Sequence, residues 1–256
     1  MSYLRFGSRV RPDVIVDPAT CTEPDPFTGS ASFVSFEAMA AAGVQGPDGE
    51  YIPGTTRLGV GYPGGGAYGA VWANGWNDPT NSDIDADVLD YGWFQDPIEY
   101  DSGADDFIPF WIPSSSNPRS STHSLRLIDD HQFSGQTNQG PILLPCFYYT
   151  CPNFTPYTAK VSPGDQIDFT MWADVDDLTH SPLGILIVTP IDSSQAAMSA
   201  SIDLQSMTGS YQQFSVSKTM PAGAAYANCG FIPEYTDIDV TVTHTWDVDD
   251  PTLTIS

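Results

Sequence analysis

The chain has 256 residues, with 32 acidic side chains against eight Lys and Arg, a formal net charge of -24 at pH 7. Hydrophobic residues make up 41%, enough to bury a core, so the acid excess does not signal disorder. Phosphate binding needs clustered Lys and Arg, which excludes nucleic acid as an expected partner. The absence of any run of about 18 apolar residues excludes a spanning helix.

Residues 1–70 read as an extended anchoring arm that ends in a Gly-rich linker. Pro12, Pro18, Pro24, Pro26, Pro47, Pro53 and Pro63 punctuate it, and Gly59 to Gly66 carries the linker composition. One short helix is predicted, from Phe33 to a Gly43 stop. The stretch from Met1 to Arg9 lacks the apolar core of a signal peptide, so no leader is expected. Arg5, Arg9 and Arg11 give the tip a basic character that suits an acidic neighbour, and they are the expected assembly residues. A segment without its own core is expected to take its shape from partner chains, through residues 1–60.

The pattern becomes β in residues 71–256. Within it, residues 77–113 form a long insertion rich in Asp and aromatics, including Asp83, Asp85, Asp87, Trp93, Phe94, Phe107 and Trp111. Alternating or fully apolar runs follow at Ser124–Ile128, Thr158–Val161, Gln166–Ala173, Gly184–Val188, Gln213–Ser217 and Ile238–Thr243. In the third, Ile167, Phe169 and Met171 share one face, and Asp168, Thr170 and Trp172 the other. Turn clusters separate the runs and no helix intervenes. The expected fold class is all-β, an antiparallel β-sandwich. Cysteines stand at 21, 146, 151 and 229; Cys146 and Cys151 are placed to close a short disulfide loop, and buried free thiols are the equal alternative.

The order of the pieces carries a resemblance. Ser124–Leu127, then Val161–Asp165 before an alternating strand, then Tyr211–Val216, Met220–Ala224 and Trp246–Asp250 resemble the carbohydrate-binding-module (galactose-binding-like) jelly roll. Asn74 to Pro79 is similar to the segment that opens such domains. The resemblance implies a sandwich and a structural calcium, held by Asn74, Asp78, Asp247, Asp249 and Asp250. It does not by itself imply sugar binding. The Asp-rich composition, with Lys only at Lys160 and Lys218, resembles proteins of salt-loving archaea and their viruses. An ordinary acidic secreted protein is the alternative.

Sugar recognition needs an aromatic platform beside polar groups. Trp172 with Asp168 is the best candidate, followed by Tyr148 and Tyr149; the alternative is that Trp172 packs under a loop or subunit. No catalytic residue is expected. The G-x-S-x-G elbow is absent, the His residues show no metal spacing, and no Glu sits in an acid/base setting. These readings converge on a structural surface protein of a haloarchaeal virus: a capsid decoration, turret, or tail or fibre component at the extracellular virion surface. Its arm is expected to contact other virion proteins, and its copies to form a trimeric or pentameric homo-oligomer. A glycan-binding adsorption module or secreted carbohydrate-binding protein, recognising a host surface glycan, is the second expectation.

Overall fold

The computed structural model describes residues 23, 25–26, 28–31, 33, 35–37, 43–45, 51–55, 58–61, 68–72, 92–96, 111–129, 142–150, 156–179, 183–234 and 244–256. In chain order the strands are β1 (Gly29–Ser30), β2 (Gly43–Gln45), β3 (Tyr51–Thr55), β4 (Leu58–Gly61), β5 (Tyr68–Trp72), β6 (Gly92–Asp96), β7 (Trp111–Ser114), β8 (Ser124–Asp129) and β9 (Ile142–Cys146). They continue as β10 (Tyr148–Tyr149), β11 (Pro156–Tyr157), β12 (Ala159–Lys160), β13 (Gln166–Val175), β14 (Leu183–Asp192), β15 (Ser201–Ser206), β16 (Gln212–Thr219), β17 (Ala224–Glu234) and β18 (His244–Ile255).

Period-two burial explains why these segments are strands. Along β13, Ile167, Phe169, Met171, Ala173 and Val175 are buried while Asp168, Thr170, Trp172 and Asp174 face out. Phe214 and Val216 do the same on β16, and Leu125 and Leu127 on β8. Among the described residues, six strands form the smaller sheet, in the order β16-β13-β18-β8-β7 with β1 beside β18. Eight form the larger, in the order β15-β14-β17-β9-β6-β5-β4 with β12 beside β17. The paired strands are antiparallel, so the architecture is the predicted antiparallel sandwich. The apolar run at Gly184–Val188 lies in β14, an interior strand flanked by β15 and β17.

The core lies between the sheets. Phe231 of the larger sheet meets Trp111, Phe214 and Trp246 of the smaller one edge-on, with ring centroids 6.1, 5.5 and 5.6 Å apart. Gly184 allows this approach, since a Cβ there would lie 2.8 Å from the Phe214 ring and 3.2 Å from that of Phe231. The predicted Ser162–Asp165 turn is closed by the Ser162 N–H donating to the Asp165 carboxylate at 2.7 Å, with Gly164 at φ +96°.

Four readings of the first half meet structure that the sequence does not announce. The arm is not coreless. β1 pairs with the end of β18, the Ala31 N–H donates to the Leu253 carbonyl at 2.8 Å, and Phe36 sits in the core at 5% exposure. Phe33 adds an edge contact to Phe147 at 5.3 Å. Of the predicted helix, Phe36 and Glu37 are helical among the described residues, and Gly43 belongs to β2. The linker is in part a strand: Leu58–Gly61 is β4 and extends the larger sheet through β5. The insertion likewise contributes β6 and β7 to the two sheets, and Trp111 is fully buried. In each case the high Gly, Pro or Asp content hid a short strand whose stability comes from its neighbours rather than from propensity. The strand expected at Ile238–Thr243 lies outside the described residues.

Candidate functional site

The outer face of the smaller sheet carries the residues singled out for chemistry. Opposite Asp168 stand Ser217 and Thr254, opposite Thr170 stand Ser215 and Thr252, and opposite Trp172 stand Gln213 and Asp249. Hydrogen bonds knit the rows together. Thr170 and Thr252 share one at 2.6 Å, the Ser217 hydroxyl donates to Asp168, and Gln166 Nε2 donates to Ser217 at 2.5 Å. Pairing between β13 and β18 slips between Thr170 and Trp172, where Asp250 adopts φ +48°. This bulge re-aims the β18 carboxylates toward the loop joining β7 to β8.

That loop, residues 115–123, is bolted across the face by acids. Asp247, 2% exposed, receives both Nε and Nη2 of Arg126 at 2.9 and 2.6 Å and the Ser124 hydroxyl at 2.8 Å. This fork pairing raises the Arg126 pKa, chiefly through the hydrogen bond to Asp247. Asn117 Nδ2 donates to Asp174 at 3.0 Å and to Asp247 at 3.3 Å. The Arg119 N–H donates to Asp249 at 2.9 Å, while the Arg119 side chain and the Ser120 hydroxyl reach Asp250. Burial pushes the Asp249 carboxyl up against the pull of these N–H donors. The Tyr211 hydroxyl donates to the Asn117 carbonyl at 2.6 Å, and its pKa is raised by burial and then by Asp247, Asp249 and Asp174. On the far side Glu37 accepts from the N–H groups of Thr122 and His123 at 2.8 and 3.1 Å. Burial works against ionisation of Glu37, but the backbone hydrogen bonds outweigh it and hold the carboxyl at about 2.

The geometry reassigns several expected site residues. Arg119 stacks over Trp172 with its guanidinium carbon 3.6 Å from the ring centroid. Trp172 is therefore half-buried under a loop cation rather than laid open as a platform, and Asp168 lies four positions along the same strand. Asp247, Asp249 and Asp250, three of the expected calcium ligands, accept from Arg126, Arg119, Ser120 and backbone donors; among the described residues no three His, Cys, Asp or Glu gather for a metal. Asn74, Asp78, Arg5, Arg9 and Arg11 lie outside the described residues.

Tyr148 belongs to a different cluster, at one end of the larger sheet. It is 1% exposed and donates its hydroxyl to Glu23, which also pairs with Lys160 at 3.5 Å. Tyr157 stacks on Tyr226 at 4.3 Å, and Tyr148 tilts against Tyr226 at 5.9 Å. Burial, then Tyr226, pushes the Tyr157 phenol up to about 12. Tyr149 holds the position opposite Pro156. The Tyr148, Tyr157 and Tyr226 rings pack on one another, and Tyr148 is buried. Cys229 is a buried free thiol raised by burial, with its N–H donating to Thr158 Oγ1 at 2.9 Å; Cys21 and Cys151 lie outside the described residues.

Sequence reasoning missed the cations that organise the polar face, Arg119 and Arg126. Their rarity in so acidic a chain was the available signal. It also missed the outer face of the larger sheet. There Ile202 and Leu204 on β15 are 59% and 51% exposed and stand opposite Ile187 and Ile185 on β14. On β17, Ile232 stands opposite Ile185 and is buried at 6% exposure. Gly230 lies beneath the Ile142 and Leu144 side chains, since a Cβ there would come within 3.0 and 2.7 Å of them.

No protein-family model matches the chain, and no curated protein matches it. Solved structures with a similar course include the enzymatically active domain of bacteriophage CBA120 tailspike protein 4, at 11% identity and TM-score 0.40, covering 60% of this chain and 18% of that one. A family 16 carbohydrate-binding module is similar at 10% identity and TM-score 0.38, covering 56% of this chain and 83% of its own. The CBM22-1 xylan-binding domain from Paenibacillus barcinonensis Xyn10C is similar at 9% identity and TM-score 0.38, with 64% and 85% covered. The chain thus spans less than a fifth of the tailspike domain and most of each module.

Proposed function

We propose that this chain is a non-catalytic structural module of a virus particle with a salt-loving archaeal host. It is displayed at the virion surface as a decoration, turret or fibre component, and its first 22 residues tie it to a neighbouring particle protein. The observation that carries this reading is the root of the arm. β1, Phe36 and Glu37 fasten the segment to the sandwich at a sheet edge, in the core and at the 115–123 loop. Residues 1–22, with Arg5, Arg9 and Arg11, precede that root, so a pull on them passes directly into the smaller sheet. A basic tip ahead of a body with net charge -24 suits an acidic neighbour.

The test compares the full chain with residues 23–256. The shortened chain is expected to melt at the same temperature and to fail to enter particles. Equal incorporation of the two overturns the tether. Removing residues 1–60 confounds the test, because it also removes β1, Phe36, Glu37, β2, β3 and most of β4.

A glycan-binding reading has one specific observation behind it: Trp172 is flanked by hydroxyls, carboxylates and Gln213 on a flat face, the chemistry a sugar uses. It requires Arg119 to leave the ring. Titration with host surface polysaccharide, followed by tryptophan fluorescence in the wild type and in Arg119→Ala, tests it. Saturable binding that tightens in the variant supports this reading, and no response in either chain removes it.

A further inference from the structure

We propose that residues 118–123 form a flap that closes over Trp172, and that Glu37, at the root of the arm, is the catch that keeps it shut. The proposal rests on the glycan-binding reading above, whose centre is Trp172, and adds the control of access to that site.

The flap lies between two fixed points. At one end Asn117 donates to Asp174 and Asp247, and its carbonyl receives the Tyr211 hydroxyl. At the other end the fully buried Ser124 donates to Asp247 at 2.8 Å. Residues 119–122 between them are exposed, and residues 115–123 belong to no strand. The bonds that close the flap run to three carboxylates. Asp249 accepts the N–H groups of Arg119 and Ser120 at 2.9 and 3.4 Å, and Asp250 accepts the side chains of the same two residues. Glu37 accepts the N–H groups of Thr122 and His123 at 2.8 and 3.1 Å and the Thr122 hydroxyl at 3.2 Å. A short segment fixed at both ends and held between them by side chains opens more easily than a rung of a β ladder.

Beneath the flap lie an aromatic ring and a carboxylate. Arg119 covers Trp172 with its guanidinium carbon 3.6 Å from the ring centroid, and Asp249 is 2% exposed. Register places Trp172 between Gln213 and Asp249. With the flap lifted, the ring face, that carboxylate and the glutamine amide are offered to solvent together. A ring face takes the apolar side of a sugar, and the polar groups beside it take its hydroxyls.

The three carboxylates are not equivalent. Asp249 and Asp250 sit on β18, in the sheet that the flap covers, so they keep their place beside Trp172 whatever the arm does. Glu37 belongs to the arm and directly follows Phe36, whose side chain is in the core. It is the contact through which the flap registers whether the arm root is seated. Loss of its three bonds raises the open fraction by about ten- to a hundredfold, the usual worth of charge-assisted hydrogen bonds. Exposure of Trp172 and seating of the arm are thereby linked through the loop.

Fluorine NMR of the full chain labelled with 5-fluorotryptophan tests the flap without a ligand. Trp172→Phe identifies the Trp172 line, and a neutral gadolinium chelate in solution broadens the lines of exposed rings. In the wild type the Trp172 line is expected to broaden little. Arg119→Ala removes the cover and is expected to broaden it fully. Glu37→Ala is expected to raise the broadening severalfold, to leave the other tryptophan lines as they were, and to add nothing in the Arg119→Ala background. Glu37→Gln and Thr122→Ala remove the charge and one hydrogen bond of the same catch; each should raise the broadening by less, and they carry the test if Glu37→Ala does not fold. A Trp172 line unmoved by all three catch variants overturns the catch. Equal broadening in the wild type and Arg119→Ala overturns the flap, and so does a rise shared by every tryptophan line, the mark of general loosening. Opening in the Glu37 variants without binding of host polysaccharide keeps the flap and removes only the glycan reading. Polysaccharide binding with the Trp172 line equally protected in every Glu37 variant removes the catch and leaves the glycan reading standing.

Discussion

The two outer faces of this sandwich start from the same alternation and end in opposite chemistry. On the smaller sheet the outward row from Asp168 to Asp174 is polar apart from Trp172, and that ring is capped by Arg119. A loop crosses it, fixed by Asp174, Asp247, Asp249, Asp250 and Glu37. On the larger sheet the outward positions 185, 187, 202 and 204 are aliphatic, and the two on β15 are more than half exposed. Burial of one face is a requirement of the fold, whereas the finish of the other face is free to serve a contact. In a chain this acidic, the place where charge is absent is as informative as the place where it gathers.

The contrast can be broken most strongly at Arg126. Arg126→Ala leaves Asp247 buried without its guanidinium, and a loss of about 3–5 kcal/mol is expected by denaturant unfolding; Arg126→Lys should recover part of it, since an ammonium cannot reproduce the fork. Gly184→Ala probes the layer that separates the faces. The added methyl must displace the Phe214 ring, for an expected loss of about 1–3 kcal/mol.

Acid sharpens the polar side. Glu37 is held at about 2 against an ordinary 4.5, so its contribution is present above 4.5 and is lost as pH falls toward 2. Glu37→Gln should flatten that limb of the stability profile. Asp249 has the opposite sign: its raised carboxyl favours the folded state below its ordinary range, and that gain is lost as pH rises through the folded value. Asp249→Asn should therefore reduce the pH dependence from the other side. The smallest effect belongs to the bare face, where Ile202→Thr is expected to change monomer stability by no more than about 0.5 kcal/mol.

The sandwich was legible because β13, β16 and β8 each alternate cleanly, and β14 is apolar on both faces. What escaped has a common physical origin. β1, β4 and β6 are short segments of weak propensity, held by register with longer neighbours, and nothing local announces them. Phe36 reads as part of a short helix with no stated partner, and its burial shows that it plugs the core. Trp172 and Asp168 were placed on the right face by counting in twos, but the cation over the ring comes from a loop more than fifty residues earlier in the chain. The expectation that Asp247, Asp249 and Asp250 bind calcium comes from the resemblance alone, and nothing in the sequence announces that Arg126, Arg119 and backbone N–H groups turn to them. Sequence reasoning does not single out the segment Ser201–Ser206, and its alternation gives no sign of which side faces in.

The position of β18 governs when this molecule can first exist. It lies between β13 and β8 and also receives β1, so the middle of one sheet is supplied by a strand that leaves the ribosome after every other described strand. Until then Trp246, Val248, Leu253 and Ile255 are missing from the interior, and the opening segment has no edge on which to settle. Maturation is therefore a single late event in vectorial synthesis, dominated by distant pairings and correspondingly slow. Nascent chains stalled ahead of Trp246 should be digested readily by protease, and those released just after Ile255 should resist.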